Sequence, residues 1–225
     1  MIKKDPSVII YGGSFDPPHK GHEEIAQFLL SHFKDAKLWI VPADIPPKVG
    51  ENSKSTLHSF EQRLELCKKV FLPLSERVLI KEEEKALEKP NYTFKTIEYF
   101  KKTFENESFA FAMGQDQIQS FNQWKNPEKI LELCDIIAIR RQTSEANLKD
   151  SVVAGLRGLG EANETSNNQI QLELKDGKQS YIYYFDITVN KASSTQLRMA
   201  LNGETQIPIE FVPDSIKDDL VKEKQ

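Results

Sequence analysis

Val8-Ile9-Ile10-Tyr11 followed by Gly12-Gly13-Ser14-Phe15-Asp16-Pro17-Pro18-His19-Lys20-Gly21-His22 is the stretch that decides the reading. A β-branched run closed by two glycines reads as a buried strand handing over to a loop. Ile25, Ala26, Phe28, Leu29 and Phe33 then recur at helical spacing, and Leu38-Trp39-Ile40-Val41 before Pro42 makes a second strand. Strand, helix and strand in that order is a βαβ unit. Where such a strand meets its helix, the helix start offers unpaired N–H groups to an anion. Gly12 and Gly13 allow close backbone approach, and Ser14 adds a hydroxyl. His19 and His22, three apart, can bring two imidazoles to one phosphate. Gly21 between them removes a side chain that would crowd it.

The alternation continues outward from this unit. Ser59 and Gln62 predict a capping box ahead of a helix carrying Phe60, Leu64, Cys67 and Phe71. Arg77 to Ile80 reads as a third strand, Phe94 to Phe104 as a helix, Phe109 to Met113 as a fourth strand, and Asn126-Pro127 as the start of another helix. Asp135 to Ile139 is a fifth strand. Strands alternating with helices of this length predict an α/β class: a Rossmann-like parallel sheet with helices on both faces. Residues 142–168 break the rhythm with Ser, Asn and Glu, and read as a polar insertion, partly mobile and dispensable for the core. A hairpin follows, turning at Asp176-Gly177, and then a C-terminal helical part from Ser194 to Asn202 and beyond Pro213-Asp214. A single domain over 1–225 is the expectation.

Composition narrows the classes of function. Charged residues make up 28% and the formal net charge is −4, which gives no basic stripe for nucleic acid. There is no membrane-length apolar run and no apolar leader at Met1, so a cytoplasmic protein with no membrane partner is expected. Cys67 and Cys134 sit in helical apolar patterns and read as core thiols. Two histidines at a helix start are, taken alone, more often plain polar residues than phosphate ligands. Zinc fits the spacing, but no third ligand of suitable type is apparent, so no metal site is assigned. Gly-x-Gly-x-x-Gly and Gly-Lys-Ser/Thr fingerprints are both missing, which removes dehydrogenase and P-loop readings.

Gly12-Gly13-Ser14-Phe15-Asp16-Pro17 with His19-Lys20-Gly21-His22, and Ser193-Ser194-Thr195-Gln196-Leu197-Arg198 near the other end, together resemble the two signatures of the bacterial nicotinate-mononucleotide adenylyltransferases, within the nucleotidylyltransferase superfamily. Met113-Gly114-Gln115-Asp116, Pro90-Asn91-Tyr92-Thr93 and Trp124, ten residues after Gly114, extend the likeness over nearly the whole chain outside the insertion. Pro46-Pro47-Lys48-Val49 departs from it, because the family commonly carries histidine after the two prolines.

The resemblance implies transfer of the adenylyl group of ATP to nicotinate mononucleotide, giving deamido-NAD and pyrophosphate, with Mg2+ carried on the ATP. It implies His19, His22 and Arg198 as catalytic residues. Gly12, Gly13, Ser14, Phe15, Gly114, Asp116, Ser194 and Thr195 would join them around ATP, and Asp44, Lys48, Tyr92, Thr93 and Trp124 would take the acceptor. A homodimer is compatible with this reading. The rival acceptors are nicotinamide mononucleotide and phosphopantetheine. A tRNA synthetase-like protein is disfavoured for want of an anticodon domain and a Lys-Met-Ser-Lys-Ser type loop, and a nucleotide sensor without turnover is disfavoured by the intact signatures.

Overall fold

The computed structural model describes residues 5–45, 56–141, 147–166, 168–188, 192–206 and 208–223. The chain forms two compact units, Met1–Tyr11 with Tyr92–Thr188, and Gly12–Asn91 with Val189–Gln225.

In the first unit the sheet order is β1-β4-β5-β8-β7-β6. Strands β1 (Val8–Gly13, of which Val8 to Tyr11 lie in this unit), β4 (Phe109–Gly114), β5 (Asp135–Arg141) and β8 (Gln179–Ile187) run parallel. Their residues are apolar almost without break, as expected of parallel strands covered on both faces. Ile9, Ile10, Phe111, Ile136, Ile137 and Ile182 are buried together with Ile97 and Phe100 of helix α3 (Thr93–Thr103) and Ile130 of helix α5 (Pro127–Leu133). Strand β7 (Gln169–Leu174) joins β8 antiparallel through the predicted turn, where Gly177 takes φ +81° and its N–H donates to the Leu174 carbonyl at 2.9 Å. The second strand of the hairpin, rather than the first, joins the parallel sheet.

The segment read as a polar insertion packs where it is described. Helix α6 spans Leu148–Leu156, and strand β6 spans Gly160–Ser166, antiparallel to β7. Leu148, Ser151, Val152, Gly155 and Leu156 are buried, which is a complete i, i+3, i+4, i+7, i+8 stripe. Two of its five positions are Ser and Gly, so an apolar reading misses it. A Cβ on Gly155 would lie 1.7 Å from the carbonyl oxygen of Ile118, so only glycine lets α6 approach helix α4 (Gln115–Gln119) this closely. The described part of this segment therefore supplies buried core rather than a detached loop. Burying three aliphatic side chains is worth roughly 1.5–3 kcal/mol each.

The second unit pairs β2 (Lys37–Pro42) with β3 (Val78–Ile80) in parallel. Helix α1 (Lys20–His32) is closed at its C-terminus by Arg77, which donates to the carbonyls of Leu30, Phe33 and Ala36 at 2.6, 3.0 and 2.7 Å. Helix α2 (Phe60–Phe71) starts with the predicted capping box of Ser59 and Gln62. The C-terminal helical part is α7 (Ser194–Leu201) and α8 (Lys217–Glu223). Helix α7 ends in a Schellman motif: Gly203, at φ +82°, donates to Ala200, and Glu204 donates to Met199. Phe15, Leu29, Phe33, Leu38, Ile40, Cys67 and Phe71 form the core of this unit. Cys67 and Cys134 are buried and form no disulfide, and burial pushes the Cys67 thiol well above its ordinary range. Among the described residues, no helix is long and apolar enough to cross a membrane.

Candidate active site

The end of β1, the loop after it and the first turn of α1 carry the first signature, all within the second unit. His19 is the N-cap of α1, in extended conformation, and His22 is its third helical residue. The two form a reciprocal capping box. The His22 N–H donates to His19 Nδ1 at 3.3 Å, and the His19 N–H donates to His22 Nδ1 at 3.3 Å. The rings consequently stack, with centroids 3.6 Å apart and planes 19° from parallel. The sequence expectation of two imidazoles side by side holds, with His19 one step outside the helix rather than on its face.

The box also fixes chemistry. An Nδ1 that accepts an N–H bond cannot carry a proton, so each neutral ring bears its hydrogen on Nε2. Nε2 is then the atom of each ring that can donate to a phosphate oxygen. His19 is only 2% exposed and His22 is half-buried, so His22 is the more accessible of the two.

Phe15 is fully buried, with a positive φ of 45°. Its ring packs edge-on against His22 at 5.0 Å and against Phe71 at 5.4 Å. A Cβ on Gly13 would come within 3.1 Å of that ring, so Gly13 makes room for the loop to fold over its own phenylalanine. Phe15 therefore forms the floor under the histidines, and any ligand contact it makes is through its main chain. Ser14 is exposed and Gly12 is half-buried.

The second signature folds onto the first inside the same unit. The N-cap of α7 is Ser193, whose Oγ accepts from the Gln196 N–H at 3.2 Å. Ser194 Oγ donates to the Pro17 carbonyl at 3.1 Å, and Arg198 donates to the Asp16 carbonyl at 2.8 Å and to Thr195 Oγ1 at 3.1 Å. Two residues of the first signature thus act as backbone acceptors for the second. Thr195 is exposed and Arg198 is half-buried.

Two residues not singled out in sequence, Arg63 and His58, hold this loop, and a third, Lys89, holds Asp44. The buried guanidinium of Arg63 donates to the carbonyls of Ser14 and Ala43, each at 2.7 Å. Asp16, 1% exposed, accepts from Leu57 N–H at 2.7 Å, from His58 N–H at 3.1 Å and from His58 Nδ1 at 2.6 Å. Burial alone would raise the Asp16 carboxyl, but the His58 side chain and the two N–H donors outweigh it and hold it below its ordinary value. Lys89 forms an ion pair with Asp44 and donates to the carbonyl of Glu84 at 2.6 Å and to Asn91 Oδ1 at 3.2 Å. Asp44 therefore carries a compensated charge. Only Asp16 lay inside a recognised motif, while nothing local to Arg63, His58 or Lys89 signals their partners.

The remaining expected residues lie in the first unit, apart from Lys48, which falls outside the described residues. Gly114 caps the short helix α4, its N–H donating to Gln117 Oε1 at 3.0 Å. A Cβ there would approach Asp116 Oδ1 to 2.8 Å, so the glycine lets that exposed carboxylate fold back over the turn. Gln115 Nε2 donates to Ser151 Oγ of α6 at 2.9 Å, which ties the turn to the helix hidden in the polar segment. Trp124 is half-buried, with its ring 5.5 Å from Phe121 and 6.3 Å from Phe111. Tyr92 and Thr93, both half-buried, begin α3.

Comparisons with known proteins give the family. Residues 10–200 match the cytidylyltransferase-like family. A probable nicotinate-nucleotide adenylyltransferase of Shewanella woodyi is 32% identical over 208 residues, covering 92% of each chain. One of the same name from Thermotoga sp. strain RQ2 is 30% identical over 212 residues, covering 94% of this chain and 93% of its own. A similar fold occurs in the nicotinic acid mononucleotide adenylyltransferase of Plasmodium falciparum complexed with NaAD, with TM-score 0.67, 21% identity, and coverage of 97% of this chain and 96% of that one. With its two signatures bound to each other and relatives aligned over nearly its full length, the chain belongs to the cytidylyltransferase-like family, among the nicotinate-nucleotide adenylyltransferases.

Proposed function

We infer that the protein transfers the adenylyl group of MgATP to nicotinate mononucleotide, forming deamido-NAD and pyrophosphate. The observation that carries this reading is the paired-histidine box, which turns both Nδ1 atoms to backbone and so puts the proton of each neutral ring on Nε2. A phosphate oxygen of the acceptor attacks the α-phosphorus of ATP, the bond from that phosphorus to the bridging oxygen breaks, and its electrons leave on pyrophosphate. A phosphate monoester is already ionised at neutral pH, so no general base is required. Catalysis then rests on positioning and charge stabilisation.

His19 and His22 donate to the α- and β-phosphates, beside Gly12, Gly13 and Ser14. Arg198 and Thr195 steady the departing pyrophosphate. Ser194 takes part there by exchanging its bond to Pro17 for one to a phosphate oxygen. Gly114 and Asp116 line the adenosine, while Trp124, Tyr92, Thr93 and Asp44 take the pyridine end, with Lys48 adding positive charge. Magnesium arrives on the ATP, held by phosphates and water. This reading places the enzyme in the cytoplasm, where the thiols of Cys67 and Cys134 stay reduced, without nucleic-acid or membrane partners, and allows a homodimer.

Pyrophosphate release from MgATP is to be measured with nicotinate mononucleotide, nicotinamide mononucleotide and phosphopantetheine supplied separately. Release with nicotinate mononucleotide at the highest kcat/KM is expected. Preference for another acceptor would overturn the acceptor assignment, and no release with any of them would overturn the adenylyl-transfer reading.

A further inference from the structure

Asp16 is a nearly fully buried carboxylate inside the first signature, yet its side chain faces neither histidine of the capping box. Its two oxygens are taken by Leu57 and His58, 41 and 42 residues away in sequence. A buried carboxylate is tolerated only when its lone pairs are met by donors, and here two of the three donors come from one residue. His58 is itself 4% exposed, just ahead of the N-cap of α2. The main-chain carbonyl of this anchored Asp16 accepts from Arg198 at 2.8 Å, and the next carbonyl, that of Pro17, accepts from Ser194 at 3.1 Å. A relay thus runs from His58 through the Asp16 side chain to the Asp16 carbonyl and on to the Arg198 guanidinium. All of its members belong to the second unit.

We propose that His58 is a positioning residue for adenylyl transfer: by pinning the Asp16 carboxylate through Nδ1, it holds the carbonyl on which Arg198 rests and so aims that guanidinium at the nucleotide phosphates. The proposal rests on the phosphate-binding role given to Arg198 above. Without the His58 side-chain bond the Asp16 carboxylate keeps only two backbone donors, the loop around it is held less firmly, and Arg198 loses a fixed rest while remaining charged.

The test uses the full chain with His58→Leu and His58→Asn, each alone and combined with Arg198→Ala. Calorimetric MgATP affinity is measured without acceptor, alongside kcat and KM for MgATP with nicotinate mononucleotide. The amide nitrogen of asparagine occupies the place of Nδ1, so His58→Asn restores the donor. His58→Leu should weaken MgATP binding about tenfold, as expected for a lost bond to a charged group, and His58→Asn should recover most of it. In the Arg198→Ala background, His58→Leu should add less than about twofold, because residues acting through one another are not additive.

Equal losses in both backgrounds, an asparagine variant no better than leucine, or wild-type affinity in His58→Leu would each overturn the proposal. If His58→Leu does not fold, His58→Gln, whose amide nitrogen lies at the distance of Nε2, takes its place under the same criteria. Because affinity is read without acceptor, a wild-type enzyme that binds MgATP yet rejects nicotinate mononucleotide would overturn the acceptor assignment and leave this test in force.

Discussion

Two helices of the same unit begin with the same hydrogen-bond pattern built from different residues. Helix α2 uses Ser59 and Gln62, both exposed, with bonds of 3.2 and 2.9 Å. Helix α1 uses His19 and His22, buried and half-buried, with bonds of 3.3 Å each way. Serine is among the preferred N-caps and Gln is a usual third residue, while histidine is neither. A requirement for capping alone would therefore produce the α2 solution twice. The second nitrogen of each imidazole is what the α1 box has and the α2 box lacks. On the proposed function this difference has a use: the histidines act through Nε2, and the cap fixes their tautomer and stacks their rings.

The comparison is broken most easily at α1. His22→Ala should lower kcat by about a hundredfold, the loss expected when one preorganised donor to transition-state charge, worth on the order of 3 kcal/mol, is removed. His19→Ala should do the same and also lose the cap, which costs about 1 kcal/mol of stability in a denaturant titration. Unchanged turnover in either variant would return the histidines to an ordinary structural role.

Trp124 sharpens the contrast, because it is assigned to the ring of the acceptor rather than to phosphate. Trp124→Ala should raise the acceptor KM by roughly ten- to a hundredfold, corresponding to about 1–3 kcal/mol of stacking, with kcat and MgATP affinity moving less. Its ring also touches Phe111 and Phe121, so equal impairment of both substrates, or loss of the fold, would make it a packing residue instead. At α2 the smallest effect is expected: Ser59→Ala should cost about 1 kcal/mol of stability and leave both kinetic constants alone.

What could be read in advance follows the range of the interactions involved. The turn from β1 into α1, the Ser59 and Gln62 box and the Gly177 turn all depend on residues a few positions apart, and each was legible. The clamp of Arg63 on Ser14 spans 49 residues, the Asp16–His58 pair 42, and the stitches from Ser194 and Arg198 to the first loop 177 and 182. No local pattern announces such pairs, since a buried Arg or His looks like any other charged residue until the chain has folded. Helix α6 escaped for a different reason: its buried stripe includes Ser151 and Gly155, which are there for a hydrogen bond and a close approach rather than for apolar area.

The measurement that bears most directly on the α1 box is to rebuild it with the residues of the α2 box, His19→Ser with His22→Gln, and to record thermal unfolding and pyrophosphate release on the same preparation. The cap should survive, with Tm within about 3 °C of the parent, a shift that corresponds to roughly 1 kcal/mol for a chain of this size. Turnover with MgATP and nicotinate mononucleotide should fall by at least about a hundredfold, because both Nε2 donors are gone. A folded double variant that still turns over at the parent rate would contradict the account, since capping would then be all that the two histidines do.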